Sequence, residues 1–168
     1  MRLRRTLTVL RPELFAYARS LTLEISEAED LVHDAVVRAL QSGSAPKQIA
    51  DLRPWMFRII KNLFIDEKRK ERVHREYSIA QNRLSDTEPA RTGDPVEALM
   101  VRQAYAELVP RDREILCLID ILGLTYAQAA AVIDVPVGTV MSRVSRARRA
   151  MIERMGETNV RPIGKRRG

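Results

Sequence analysis

Apolar residues recur along this chain at intervals of three and four, the period of α-helices that pack by one face. Over residues 25–40, Ala28, Leu31, Val32, Ala35, Val36, Ala39 and Leu40 form such a stripe, while Glu29, Asp30, His33, Asp34 and Val37 lie away from it. Ser26 and Glu29 have the spacing of a capping box at the start of that helix. Residues 53–73 form a second segment, in which Trp55, Met56, Phe57, Ile59, Ile60, Leu63 and Phe64 alternate with and precede Arg58, Lys61, Lys68, Arg69, Lys70 and Arg72. Two more helices follow the second proline cluster, parted at Pro110 and closed by Gly123. Thr125 and Gln128 repeat the capping-box spacing and open a short helix with Ala129, Ala130, Val132 and Ile133 on its apolar face. Pro136 then suits the first position of a last helix, whose stripe is Val137, Val140, Val144, Ala147 and Met151. Nowhere do Val, Ile and Thr alternate with polar residues over a useful length, so the pattern predicts an all-α fold.

Three stretches interrupt the periodicity. Residues 41–54, "QSGSAPKQIADLRP", read as a loop, residues 85–95, "SDTEPARTGDP", as a linker, and "RPIGKRRG" as a basic tail. The division predicted is therefore a helical domain over 1–72, a linker over 73–95, a second helical domain over 96–155 and a tail over 156–168. Two small helical domains joined by a flexible polar linker are expected to move independently, and to become compact when a partner clamps them.

The last two helices carry the clearest chemical signal. A short alanine-rich helix, a turn of a few residues and a second helix with a cationic outer face is the layout of a helix-turn-helix. Gly138, Ser142, Ser145, Arg146 and Arg149 fall on that outer face, Thr139 sits at its edge, and Arg143 and Arg148 flank the apolar stripe. Such a face can enter the DNA major groove, where arginine reads guanine edges or holds phosphates and Ser and Thr do either. A merely solvated amphipathic helix is the alternative. Charge favours the first reading. The net charge is +7, and residues 138–168 alone hold nine Lys/Arg against two Asp/Glu, so the remaining 137 residues balance. A surplus gathered at one end points to a polyanionic partner there.

Other chemistry is thin. Cys117 is the only cysteine and lies in the apolar run "REILCLIDIL", which excludes a disulfide framework and a cysteine metal site and favours a buried structural thiol. His33 and His74 lie on separate segments, and no metal-ligand spacing, phosphate loop or nucleophile motif occurs, so neither a cofactor nor an enzyme is expected. No apolar run reaches 18 residues and the first ten lack a cleavage site, which predicts a cytoplasmic protein without membrane insertion. The aromatic and basic residues of 53–73 can hold single-stranded nucleic acid by stacking and charge, or the aromatics can serve as core.

In order, "LFAYARSLTLEISEAEDLVHDAVVRAL", "RPWMFRIIKNLFIDEKRK", "VPRDREILCLIDILGLTYAQAA" and "PVGTVMSRVSRAR" resemble a bacterial RNA polymerase sigma factor of the extracytoplasmic-function group. The resemblance covers about residues 10–155. It implies a subunit that binds core RNA polymerase and directs initiation at promoters, under the control of an anti-sigma protein. On that resemblance Asp30, His33, Asp34 and Val37 dock on the coiled coil of the polymerase β′ subunit. The loop from about 42 to 52 captures a flipped −10 base, and Arg58, Lys61, Asn62, Asp66 and Arg69 recognise and help open the −10 element of promoter DNA. Thr139, Ser142, Arg143, Ser145, Arg146 and Arg149 read the −35 element. Three positions depart from the family pattern. Asp134 stands where glycine is common in the turn, Met141 where a basic residue is common, and His33 where glutamine is common. Two rival readings are a stand-alone helix-turn-helix regulator, which leaves the acidic helix and the 53–73 segment unexplained, and a decoy that binds an anti-sigma protein and no DNA, which has no need of Arg146 and Arg149.

Overall fold

The computed structural model describes residues 2–77 and 95–159. Seven helices make up the described chain: α1 Arg2–Leu21, α2 Ile25–Gln41, α3 Ile49–Tyr77, α4 Val96–Ala106, α5 Pro110–Leu116, α6 Tyr126–Ile133 and α7 Val137–Asn159, with a π-helical turn, Cys117–Ile121, continuing α5. No strand occurs among the described residues. Of the linker expected over 73–95, residues 73–77 continue α3 and residues 78–94 lie outside the described residues, as do residues 160–168 of the basic tail.

Helices α1, α2 and α3 pack pairwise on one another, and α7 rests on α4, α5 and α6. Leu10, Leu14, Leu31, Ala35, Met56, Phe57 and Ile60 fill the centre of the first group, and Ile115, Leu118, Ala129, Val140, Val144 and Ala147 that of the second. Phe57 is fully buried with its ring centroid 5.1 Å from that of Tyr17, and Trp55 and Phe64 pack partly buried against the same core. The aromatics of residues 53–73 are thus core.

Several local expectations change. The capping box foreseen at Ser26 and Glu29 does not form. Helix α2 already begins at Ile25 after Glu24, because Thr22 Oγ1 accepts from the Glu24 N–H at 3.3 Å and donates to Glu27 at 2.6 Å, fixing the start upstream of Ser26. The loop foreseen to residue 54 ends at 48, since Pro54 falls six residues into α3, close enough to its start to be accommodated. Leu40 and Val37 are each 38% exposed, so Leu40 borders a groove and is not core. Val137 is 43% exposed, because the helix has only just left the turn there and its first residue lies at the edge of the packed stripe.

The second capping box does form. The Thr125 N–H donates to Gln128 Oε1 at 3.0 Å, and the Gln128 N–H donates to Thr125 Oγ1 at 3.1 Å. Helix α6 ends on Asp134 in the left-handed region, φ 56° and ψ 55°, with its N–H and that of Val135 both turned to the Ala130 carbonyl. Aspartate tolerates this conformation better than most residues. The Pro136 carbonyl then accepts from Thr139 and Val140, starting α7 one residue after the proline.

The two helix groups are also packed against each other: α3 on α6, and α1 on α5 and the π-helical turn. Their buried side chains form one continuous cluster running from Leu7 to Ala147. Independent movement of two halves is not what the structure holds. Paired buried charges and a shared apolar core join them.

Candidate nucleic-acid interface

Helix α7 is held by Val140, Val144 and Ala147 and presents the rest of its surface outward. Ser142, Ser145, Arg146 and Arg149 are exposed, and Thr139 and Arg143 are half-buried at the margins. Ser142 Oγ donates to the Thr139 carbonyl at 3.0 Å. A Cβ added at Gly138 meets nothing within 4 Å, so this glycine leaves the outer face low and open. Among the described residues Arg143, Arg146 and Arg149 form no ion pair. Arg148 differs: it grips Asp120 of the π-helical turn with two hydrogen bonds, at 2.6 and 3.1 Å, and orients the helix. Three uncompensated guanidiniums, two serines and an open glycine on one rigid helix after a capped turn make a surface for a polyanion.

On α3, Arg58, Asn62, Asp66 and Arg69 are exposed. Asn62, Asp66 and Arg69 come together with Ile59, Ile65 and Arg38 around a groove of about 460 Å³. Arg38 was not legible as a member of this site. It ends α2, and only the packing of α2 on α3 brings it there. Lys61 does not join them, because its ammonium donates to Glu114 of α5 at 2.7 Å. Lys68 is paired with Glu71 at 3.0 Å and lies over the Phe64 ring, so part of the cationic run is balanced internally. The expected base-capturing loop is shorter than foreseen: residues 49–52 are helical and Leu52 is buried.

Asp30, His33, Asp34 and Val37 are all exposed on the outer side of α2, with Glu29 beside them. Next to this stripe, α1 and α2 form a shallow groove of about 350 Å³ whose walls include Leu7, Val32, Val36 and Leu40 and whose rim carries Arg4, Arg11 and His33.

Glu114 and Arg113 escaped the sequence reading, since they sit in an otherwise apolar run, and both are buried. One Glu114 oxygen accepts from Tyr17 at 2.7 Å and the other from Lys61. Burial, followed by the neighbouring Glu114 charge, holds the Tyr17 hydroxyl well above its ordinary range, so it stays a neutral donor. Arg113 spans from the Leu108 carbonyl at 2.6 Å to the Ser20 carbonyl at 3.3 Å, and burial lowers its guanidinium from the usual value. Burial pushes the Cys117 thiol up to about 12, where it is inert at neutral pH, in keeping with a structural thiol. No group of metal-ligating side chains and no helix long and apolar enough to cross a membrane occurs among the described residues.

Residues 7–73 match sigma-70 region 2 and residues 98–151 match sigma-70 region 4. The chain is 36% identical over 139 residues to the extracytoplasmic-function RNA polymerase sigma factor EcfG of Rhodopseudomonas palustris, covering 82% of this chain and 76% of that one. It is 32% identical over 146 residues to the sigma factor SigL of Mycobacterium tuberculosis, covering 82% and 80%. Its fold is similar to that of the sigma factor RpoE of Bartonella quintana, solved with the anti-sigma factor NepR, with a TM-score of 0.78, 30% identity and coverage of 94% and 98%. Helix order, the two matched regions and the exposed cationic face of α7 agree, and this chain belongs to the extracytoplasmic-function group of the sigma-70 family.

Proposed function

We propose that this chain binds core RNA polymerase and directs it to promoters, with α3 and its groove at the −10 element and α7 at the −35 element. The observation that carries the reading is the outer face of α7, where Arg146, Arg149, Ser142 and Gly138 stand free on a helix fixed by a capped turn and by the Arg148–Asp120 pair. Thr139, Arg143 and Ser145 complete that face. Arg58, Asn62, Asp66 and Arg69 are the −10 candidates on α3, and Lys61 joins them once it leaves Glu114. Asp30, His33, Asp34 and Val37 form the docking stripe for the β′ coiled coil, an acidic surface suited to a basic partner. Residues 1–72 and 96–155 are the two functional parts, joined through 73–95. The polymerase supplies the chemistry; this chain, cytoplasmic and without catalysis of its own, supplies promoter choice. An anti-sigma protein, like the one bound to the Bartonella relative, would hold it in check.

Transcription in vitro tests this directly. Purified core polymerase is given a library of duplex promoters with and without the chain. Transcripts that depend on the chain, and share sequences near −10 and −35, are the expected result. Specific duplex binding without transcripts would replace this reading with a stand-alone regulator.

A further inference from the structure

The arrangement of the two helix groups is incompatible with the use of both DNA surfaces at once. Elements centred near −10 and −35 are separated by about 25 base pairs, roughly 85 Å of B-form duplex at about 3.4 Å per base pair. A compact chain of this length has a radius of gyration of about 15 Å and spans roughly 40 Å. Even α3, with 29 residues, is only about 44 Å long at 1.5 Å per residue. With α3 packed on α6 and α1 on α5, the two surfaces cannot reach elements so far apart.

What holds them together is specific. Glu114 of α5 is 5% exposed and uses both carboxylate oxygens on the other group, one on Tyr17 of α1 and one on Lys61 of α3, each at 2.7 Å. Arg113 donates to the Ser20 carbonyl, the Cys117 thiol to the Ala16 carbonyl at 3.6 Å, and Arg53 to the Leu122 carbonyl at 2.7 Å. Lys61 is one of the cations assigned to −10 DNA and is unavailable while Glu114 holds it. No buried side-chain polar atom among the described residues lacks a partner, so the closed interface is complete without a second protein. Its central contacts are charged and hydrated readily on opening, which makes it separable in a way an all-apolar seam is not.

Resting on the sigma-factor reading, we propose that this interface is an intramolecular lock: the free chain is closed through Glu114, Tyr17 and Lys61, and binding to core polymerase opens it, separating the two DNA surfaces and releasing Lys61 to the −10 element. The free chain is then inactive toward promoters by its own fold, before any anti-sigma protein acts.

Two measurements on the full chain decide it. Fluorophores at the exposed positions Arg5→Cys on α1 and Glu153→Cys on α7 report the separation of the groups by energy transfer, the buried Cys117 remaining unlabelled. The free chain should give one high-transfer population, and core polymerase should convert it to a low-transfer one. Glu114→Gln, and Tyr17→Phe to a lesser degree, should add a low-transfer population to the free chain. A free chain already at low transfer, folded variants that stay fully closed, or a polymerase complex that keeps the closed distance would each overturn the lock. The second measurement needs no weakening substitution. The Ser20 hydroxyl lies within hydrogen-bond reach of the Cys117 thiol, so Ser20→Cys allows the closed form to be stapled by oxidation. Transcription should fall at least tenfold on oxidation and return with reductant. Equal transcription from the oxidised, disulfide-bonded chain and the reduced one overturns the lock alone. No transcription from the unsubstituted chain overturns the sigma-factor reading instead, while the energy-transfer distance still reports whether the free chain is closed.

Discussion

Arg146 and Arg149 lie one helical turn apart on the outer face of α7 with no carboxylate to satisfy them, so their hydrogen-bonding capacity is reserved for another molecule. Arg146→Ala should cost about 1–3 kcal/mol of promoter binding and relax preference near −35 if the side chain reads a base edge. Transcription from a set of −35 variants checks it, and unchanged selectivity would remove Arg146 from the site. Gly138 makes a sharper case because stability and function should part. Helix α7 tolerates a Cβ there sterically, and Gly→Ala in a helix gains roughly 0.5–1 kcal/mol. Gly138→Ala should therefore raise the melting temperature slightly while lowering DNA affinity, because the methyl stands where the duplex approaches. A variant that gains stability with no loss of binding would show that the duplex does not come close at this position. Met141, 55% exposed on the same helix, supplies apolar surface in place of the cation common in relatives, so one phosphate contact fewer is made here.

At the level of elements, the helix-turn-helix was legible and the interface between the helix groups was not, and the reason is sequence distance. Capping boxes, a left-handed Asp134, Gly123 at φ 68° and Pro136 act within a few residues, so their spacing encodes their geometry. The same local logic failed at Ser26 and Glu29 only because a competing local pair, Thr22 with Glu27, set the helix start first. Glu114 meets partners 97 and 53 residues away, and no periodicity encodes that. Arg38 reached the α3 groove by the same non-local route. The candidate residues of α7 and α2 were legible because each set belongs to one helix face, whereas Lys61, on a flank of α3, was drawn to the other helix group. Two outcomes follow. Thr125→Ala removes one half of the capping box and should cost about 1 kcal/mol, read as a lowered midpoint in denaturant. Asp34→Arg leaves the core untouched, since the side chain is exposed, but sets a cation on the acidic docking stripe. Co-purification with core polymerase should weaken by about tenfold or more while helicity is retained. Undiminished co-purification would move the docking surface off α2.

For the whole molecule, the continuous core makes a demand that two independent domains would not. Phe57 belongs to the first helix group and touches Tyr17, whose hydroxyl is bound to Glu114 of the second. Cys117 belongs to the second group and lies under α1, its thiol donating to Ala16. Burial holds that thiol in its neutral form. Its ordinary value of 9.0 in an unfolded chain rises to about 12 in the folded one. The sign follows from linkage: the stability the protonated thiol contributes is complete below about pH 9 and is lost as pH rises toward about 12, because only the unfolded chain readily gives up the proton in that window. Near pH 8 the thiol of the closed chain should therefore react with a disulfide reagent only through opening. Phe57→Ala removes a fully buried ring at a cost of about 3–5 kcal/mol. If the two groups open as one unit, this change in α3 lowers a single thermal transition and quickens Cys117 labelling in the other group. If they are independent, two transitions separate, only the first moves, and Cys117 stays protected. The second pattern would mean that the polar contacts around Glu114 register the two groups without coupling their stability, and that the shared core is a surface of contact only.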